Sequence, residues 1–132
     1  MTVLLDSSIA IALLTDEHEH FEASRRWFSS LSGRYATCPI TQGAVVRYAL
    51  RRGRSAAGAM RSLDSLVSGV RHDFWPDDVE FPDVQLDGVV GHAQVTDAYL
   101  AELARKRNGR VATFDQGMAM LHSDVAELVP TS

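Results

Sequence analysis

The sequence predicts an α/β fold in three layers, with a central parallel sheet flanked by helices. Short apolar segments of strand length alternate with longer segments in which apolar residues recur at helical spacing. Parallel neighbours in a sheet need long crossover connections, and the helical segments supply them. The 132 residues correspond to about one domain, and a hydrophobic fraction of 45% suffices for one sizeable core.

The first quarter of the chain predicts one strand and two helices. Residues 1–5 form an apolar run typical of a buried strand, which ends at Asp6. The apolar residues 9–14 then predict a helix capped by a serine. A second helix is predicted to start near Asp16 and to end at Gly33.

The middle of the chain continues the alternation. Residues 35–38 predict a strand that Pro39 ends, and Thr41 is the predicted cap of the following helix. Residues 56–70 carry the strongest helical stripe, and residues 70–75 predict a third strand.

The last part of the chain begins with an acidic loop and ends in regular elements. Residues 73–87 contain six acidic residues and two prolines, a composition typical of a solvated loop. Thr96 is the predicted cap of a helix over residues 97–108. A strand, a short helix and a last strand are predicted over residues 110–114, 115–121 and 126–129.

Charge and cysteine content exclude several classes of protein. The net charge of −4 argues against a strongly basic nucleic-acid coat, but not against an enzyme that acts on nucleic acid. The single cysteine, Cys38, excludes an internal disulfide and a Cys-rich zinc site, so we expect a cytoplasmic location. The longest apolar stretch, residues 9–14, is far shorter than the roughly 20 residues of a membrane span, so no membrane association is expected.

Three aspartates are the candidate catalytic and metal-binding residues. Asp6 and Asp115 each directly follow a predicted strand, where ligand sites of parallel sheets lie, and Asp97 opens a predicted helix. Clustered carboxylates repel one another and favour a hard dication such as Mg²⁺. For each aspartate alone, a role as a simple helix cap is an equal alternative.

Hydroxyl and guanidinium groups accompany these carboxylates. Ser7, Ser8 and Thr113 are candidates to orient the carboxylates, or else only cap helices and strand ends. Arg47, Arg51, Arg52 and Arg54 form a local basic cluster, in which Arg47 is a candidate contact for RNA phosphates or part of a solvated helix end. The histidines at 72, 92 and 122 lack zinc-ligand spacing and are interpreted as surface or packing residues.

Four segments together resemble a known family. Leu4 to Ser8, Pro39 to Gln42 with Arg47, Thr96 to Ala98, and Ala112 to Asp115 are similar to the successive motifs of the PIN domain. Within that family the chain resembles VapC-type ribonuclease toxins, and the likeness covers nearly all of it.

The resemblance implies a single PIN-like domain over residues 1–132. It implies a metal-dependent endoribonuclease, usually a homodimer inhibited by a VapB-type antitoxin, whose acidic positions fall on Asp6, Asp97 and Asp115. The expected cofactor is Mg²⁺, with Mn²⁺ as an alternative. The expected reaction is attack of water on an RNA phosphodiester, which leaves 5′-phosphate and 3′-hydroxyl ends.

One position departs from the family pattern and leaves an alternative function open. Gln42, the fourth candidate catalytic residue, stands where many members carry a glutamate. Its amide oxygen can accept a hydrogen bond from a metal-bound water, but an amide supplies no negative charge. A catalytically impaired PIN-like module that binds RNA or protein is therefore the alternative. A phosphorylatable receiver domain fits poorly, because Asp6 is followed by serines rather than by further acids.

Overall fold

The computed structural model describes residues 1–132 and contains one central sheet. Its five strands are β1 (Thr2–Leu5), β2 (Arg34–Thr37), β3 (His72–Phe74), β4 (Arg110–Thr113) and β5 (Ala126–Leu128). All neighbouring strands are parallel, and their order is β3-β2-β1-β4-β5. The predicted parallel sheet is confirmed.

Helices cover both faces of the sheet. They are α1 (Ser7–Leu13), α2 (Phe21–Ser30), α3 (Pro39–Arg51), α4 (Ala56–Val67), α5 (Ala93–Lys106) and α6 (Gln116–Leu121), with a short 3-10 helix over Phe81–Asp83. Residues of α1, α3 and α4 pack on one face, with α2 against them, and residues of α5 and α6 pack on the other. This arrangement is the predicted three-layer fold. None of the helices is both long and apolar enough to span a bilayer.

Alternation along β1 explains why both faces are covered. Leu4 belongs to the hydrophobic cluster on the side of α5, whereas Val3 and Leu5 belong to the cluster on the opposite side. Successive side chains of a strand point to opposite faces, so a fully apolar strand is buried on both. All three residues are buried.

The strand order creates a crevice beside β1. The chain moves from β1 to β2 and β3 in one direction, and then returns to place β4 on the other side of β1. Ligands of open parallel sheets bind beyond the carboxyl ends of strands where the order reverses in this way. The residues that follow β1 and β4 therefore meet at one site.

The predicted serine cap of the first helix is wrong. The cap is Asp6, whose carboxylate accepts a hydrogen bond from the Ser7 backbone nitrogen at 2.8 Å. An aspartate directly after a strand can therefore begin the helix itself.

The second helix begins at Phe21 rather than near Asp16, and it ends at Ser30 rather than at Gly33. Turns occupy residues 16–20, where the His18 Nδ1 atom accepts a hydrogen bond from the His20 backbone nitrogen. Such local bonds between side chain and backbone compete with helix formation.

Thr41 is not the cap of the third helix. The helix begins at Pro39, and a proline at the first helical position loses no hydrogen bond. The Thr41 Oγ1 atom instead lies in the first turn and accepts from the Cys38 backbone nitrogen at 3.1 Å.

Helix α5 starts at Ala93, so Thr96 is not its cap and Asp97 does not open it. The Gln94 Oε1 atom accepts from the backbone nitrogens of Val90 and Gly91, which anchors the preceding loop. Asp97 therefore lies in the second helical turn, farther from the positive end of the helix dipole than predicted.

The acidic segment over residues 73–87 is only partly a solvated loop. Asp73 belongs to β3 and pairs with Arg34 at 2.7 Å, and Asp78 pairs with Arg107 at 3.1 Å. The hydrogen bond from Arg107 holds the pKa of the Asp78 carboxyl below its usual range. These ion pairs join the segment to the sheet and to the end of α5.

Candidate active site

Asp6 is the most firmly held of the three aspartates. Its side chain is buried at the carboxyl end of β1. One carboxylate oxygen accepts from the Ser7 backbone nitrogen, and the other accepts from the hydroxyls of Ser8 at 2.8 Å and Thr113 at 2.7 Å. These bonds fix the orientation of the carboxylate.

Asp115 lies at the carboxyl end of the neighbouring strand, where its side chain caps α6. Its Oδ1 atom accepts from the Met118 backbone nitrogen at 3.0 Å. Its own backbone nitrogen donates to the Thr113 Oγ1 atom at 3.0 Å. The Thr113 hydroxyl therefore donates to Asp6 and accepts from Asp115, which links the two strand ends.

Asp97 reaches the same region from α5 and is half-buried. Burial, followed by the nearby charges of Asp6 and Asp115, raises the pKa of its carboxyl from 3.8 to about 6. The structure thus brings all three predicted aspartates into electrostatic contact. Burial of Asp97, with repulsion from its two neighbours as the second contribution, is the main electrostatic feature of the site.

The donor set fits a hard divalent cation. Carboxylate oxygens are the ligands that Mg²⁺ and Mn²⁺ prefer, and a cation between them would relieve the repulsion. No three His, Cys, Asp or Glu side chains already converge closely enough to enclose an ion. A partly open set of carboxylates leaves coordination positions for water and phosphate oxygens.

A cavity of about 80 Å³ adjoins Asp97 and Asp115. Its other lining residues come from α5, α6 and the end of α6, and they are Gln94, Gly117, Met118, Leu121 and His122. His122 was interpreted from the sequence only as a surface or packing residue. It is buried and lies beside two of the aspartates, a placement that no spacing in the sequence indicates.

The Gln42 side chain bonds to a threonine at the end of β2. Its Nε2 atom donates to the Thr37 Oγ1 atom at 3.0 Å, and it makes no hydrogen bond to the three aspartates. Thr37 in turn contacts the Nε2 atom of His72 at 2.7 Å. The amide therefore belongs to a polar chain at the ends of β2 and β3.

The predicted basic cluster is divided. Arg52 and Arg54 both face Glu17, at 2.8 and 3.9 Å, so their charges are partly satisfied within the protein. Arg47 on α3 is exposed and makes no ion pair. Arg47 and the equally exposed and unpaired Arg51 are therefore better placed than Arg52 and Arg54 to contact an external phosphate.

Comparison with known proteins places this site in a family. A sequence model described as the PIN domain matches residues 3–122. Ribonuclease VapC29 of Mycobacterium tuberculosis is 51% identical over 132 residues, covering 100% of this chain and 99% of that protein. Ribonuclease VapC39 of the same organism is 38% identical over 128 residues, covering 90% of this chain and 92% of that protein.

Solved structures share the fold at low sequence identity. Mycobacterium tuberculosis VapC20, described as a toxin that cleaves the sarcin-ricin loop, gives a TM-score of 0.75 at 16% identity over 97% of this chain and 99% of that chain. VapBC2 of Rickettsia felis, bound to a DNA fragment from its promoter, gives a TM-score of 0.69 at 12% identity over 98% of this chain and 100% of that chain.

Proposed function

The chain belongs to the PIN-domain family, among the VapC ribonucleases, and we propose that it is a metal-dependent endoribonuclease, the toxin of a type II toxin-antitoxin pair. The observation that carries this proposal is the meeting of Asp6, Asp97 and Asp115 at the carboxyl ends of β1 and β4.

The three aspartates are the residues that would hold the metal. Mg²⁺ is the proposed ion, with Mn²⁺ as the alternative, because both take carboxylate oxygens. When bound, the ion supplies positive charge beside the phosphodiester and lowers the pKa of water in the site. The charges of Asp6 and Asp115 oppose ionisation of Asp97, and a cation between the carboxylates would relieve that repulsion.

The surrounding residues orient the site and bind the RNA. Ser8 and Thr113 hold the Asp6 carboxylate, and the Ser7 backbone nitrogen holds its second oxygen. Arg47 is proposed to bind an RNA phosphate, since its guanidinium is exposed and unpaired.

Hydrolysis by water is the proposed reaction, with 5′-phosphate and 3′-hydroxyl products. Attack by the RNA 2′-hydroxyl usually relies on a general acid and base, commonly two histidines. Only one histidine, His122, lines the cavity beside the aspartates. The donor set therefore favours activation of water over activation of the 2′-hydroxyl.

A catalytically impaired module that binds RNA or protein is the second candidate. Its support is Gln42, a neutral residue whose amide is turned to Thr37. Under this alternative the domain keeps its fold and binds RNA or protein, but it gives no cleavage.

Cleavage by the purified protein separates the two candidates. We expect RNA to be cut at defined positions, cleavage to stop in EDTA, and Mg²⁺ or Mn²⁺ to restore it. Ligation-based sequencing that requires a 5′-phosphate should recover the downstream fragments. Fragments that carry cyclic phosphates and form equally well in EDTA would contradict the proposal, and RNA binding without cleavage would support the impaired module.

The proposed protein partner is a VapB-type antitoxin whose tail brings a basic side chain to the acidic site. The three aspartates favour an arginine or lysine. Co-expression with the small protein encoded next to the gene should give a stable complex and restore growth. A neighbour that neither binds nor restores growth would remove the toxin assignment.

We also propose that residues 1–132 form one domain, that the protein is a homodimer, and that it acts in the cytoplasm. The two hydrophobic clusters share a single sheet, which supports one cooperative unit. The family resemblance supports the dimer, and the lone buried Cys38 supports a reducing compartment. Light scattering of the purified protein gives its mass, and a monomer at micromolar concentration would contradict the dimer.

A further inference from the structure

Contact with Arg105 selects one neutral tautomer of His122. The Arg105 guanidinium lies 3.2 Å from the His122 Nδ1 atom. Arginine has only donors, so Nδ1 must accept, and the ring proton of the neutral imidazole must then lie on Nε2. Burial, followed by the Arg105 charge, lowers the pKa of His122, which agrees with a neutral ring.

Two acidic side chains fix the position of the Arg105 guanidinium, which selects this tautomer of His122. Arg105 donates to both carboxylate oxygens of Asp124, at 2.7 and 3.0 Å, and to Glu102 at 3.2 Å. Its position between these carboxylates leaves little freedom for rotation. The imidazole is therefore oriented from its Nδ1 side by a preformed network.

The opposite side of the ring has a donor without a partner. His122 is 3% exposed, and its Nε2 atom has no hydrogen-bond partner in the protein. A buried donor left unsatisfied costs about 1–3 kcal/mol, so such groups usually meet a water or a ligand. His122 also lines the cavity that Asp97 and Asp115 line.

The chemistry of the cavity selects its occupant. The side chains of Asp97 and Asp115 offer acceptors, while the His122 Nε2 atom offers a donor. An anion would be repelled by the carboxylates, and a cation would face the donor hydrogen. Water satisfies both because it accepts one hydrogen bond and donates two, and about 80 Å³ exceeds the roughly 10–15 Å³ that one water needs.

We propose that His122 is a positioning residue of the acidic site, acting through a water that accepts from its Nε2–H group and donates to the carboxylates of Asp97 and Asp115. The water-mediated bond orients these carboxylates from behind, as Thr113 orients Asp6 directly. This role rests on the proposed ribonuclease function, because the site that it supports is the one assigned to RNA hydrolysis.

Two substitutions distinguish the role of the Nε2 donor of His122 from the role of its Nδ1 contact with Arg105. In His122→Gln the side-chain amide reaches the position of Nε2 and keeps a donor there. In His122→Asn the shorter amide reaches only the position of Nδ1 and keeps the contact with Arg105. We expect His122→Asn to lower kcat about 10-fold or more and His122→Gln to lower it no more than about threefold, with KM for RNA little changed in both.

A structural role alone predicts the opposite order. If His122 only packs against Arg105, His122→Asn should be the milder change in both melting temperature and kcat. That order, or equal kcat values for wild type and His122→Asn, would overturn the proposal. Wild-type protein that cleaves no RNA would instead refute the proposed function.

Nitrogen NMR of the histidine side chains tests the proposal without any activity measurement. In metal-free wild-type protein we expect His122 to be neutral with its proton on Nε2, and the Nε2–H signal to shift in Asp97→Asn and Asp115→Asn. The exposed substitution Asp87→Asn should leave this signal in place. A proton on Nδ1, or a signal that neither aspartate variant moves, would overturn the proposal.

Discussion

The Thr113 hydroxyl donates to the buried Asp6 carboxylate at 2.7 Å, across 107 positions of sequence. The same oxygen accepts from the Asp115 backbone nitrogen at 3.0 Å. One hydroxyl at the end of β4 therefore sets the positions of two aspartates that come from different strands.

Thr113→Val should weaken both the fold and the site. Valine matches threonine in shape but leaves the buried Asp6 carboxylate without one donor and the Asp115 nitrogen without its acceptor. Lost hydrogen bonds to a charged group cost about 1.5–3 kcal/mol, so we expect a destabilisation of that order and a clear loss of cleavage. Urea unfolding and an RNA cleavage assay measure the two effects.

Thr15→Val is a matched control for that substitution. Thr15 is also buried, but its side chain makes no hydrogen bond to the acidic site. Its replacement should leave cleavage nearly unchanged. Equal activity of Thr113→Val and Thr15→Val would show that the Thr113 hydroxyl does not position the carboxylates.

Asp97 should make the metal-free protein less stable as the pH rises. Its pKa is about 6 in the folded protein, against an ordinary 3.8, so between these values the folded state holds a proton that the unfolded chain has released. The free energy of unfolding therefore falls across this interval and changes no further from this group above it.

Asp97→Asn should remove this decrease in the free energy of unfolding with rising pH. In EDTA we expect the variant to gain melting temperature over wild type at about pH 7.5 and to gain little at about pH 4.5. Each kcal/mol of relieved repulsion should appear as roughly 3–5 °C. A gain of equal size at both pH values would mean that Asp97 is not the group that titrates.

Gln42→Glu tests whether a fourth acid strengthens metal binding. A carboxylate within reach of the ion adds Coulomb attraction that an amide lacks, so Mg²⁺ should raise the melting temperature of the variant more than that of wild type. Cleavage at limiting Mg²⁺ should not fall. The Gln42 amide bonds to Thr37, and no hydrogen bond joins it to the aspartates. Identical Mg²⁺ titrations of the variant and the wild type would place residue 42 outside the metal's reach.

Arg47→Ala should weaken RNA binding without changing the fold. Loss of one phosphate contact should raise KM several-fold and reduce the dependence of binding on salt by about one charge. Arg26, which is also exposed and makes no ion pair, lies on α2 and provides the control Arg26→Ala. If both variants bind RNA equally well, the Arg47 assignment is wrong.

The parallel sheet and the places of Asp6 and Asp115 were predictable from sequence. Both depend on local signals, namely apolar runs of strand length and the polar residue that directly follows each run. The sequence predicts Asp97 near these two, and their effect on its pKa agrees with that proximity. The predicted local reason is wrong, because α5 begins four residues before Asp97.

Two relationships could not be predicted from the sequence, one of them local and the other tertiary. Before α2, a His18 ring nitrogen accepts from the His20 backbone nitrogen within a turn. The buried His122 contacts Arg105, which lies 17 positions away on α5. Neither partner has a periodic spacing, so no pattern in the chain indicates them.

RNA cleavage by Asp6→Asn and Asp97→Asn tests the assignment of a metal-dependent site most directly. Each substitution removes one carboxylate from the proposed metal site and relieves repulsion in the metal-free protein, so the fold should be intact while cleavage in Mg²⁺ is abolished. Asp87→Asn, on an exposed loop, should cleave as wild type does. Full cleavage by either site variant, with circular dichroism showing the same fold, would contradict the assignment of a metal-dependent site to these aspartates.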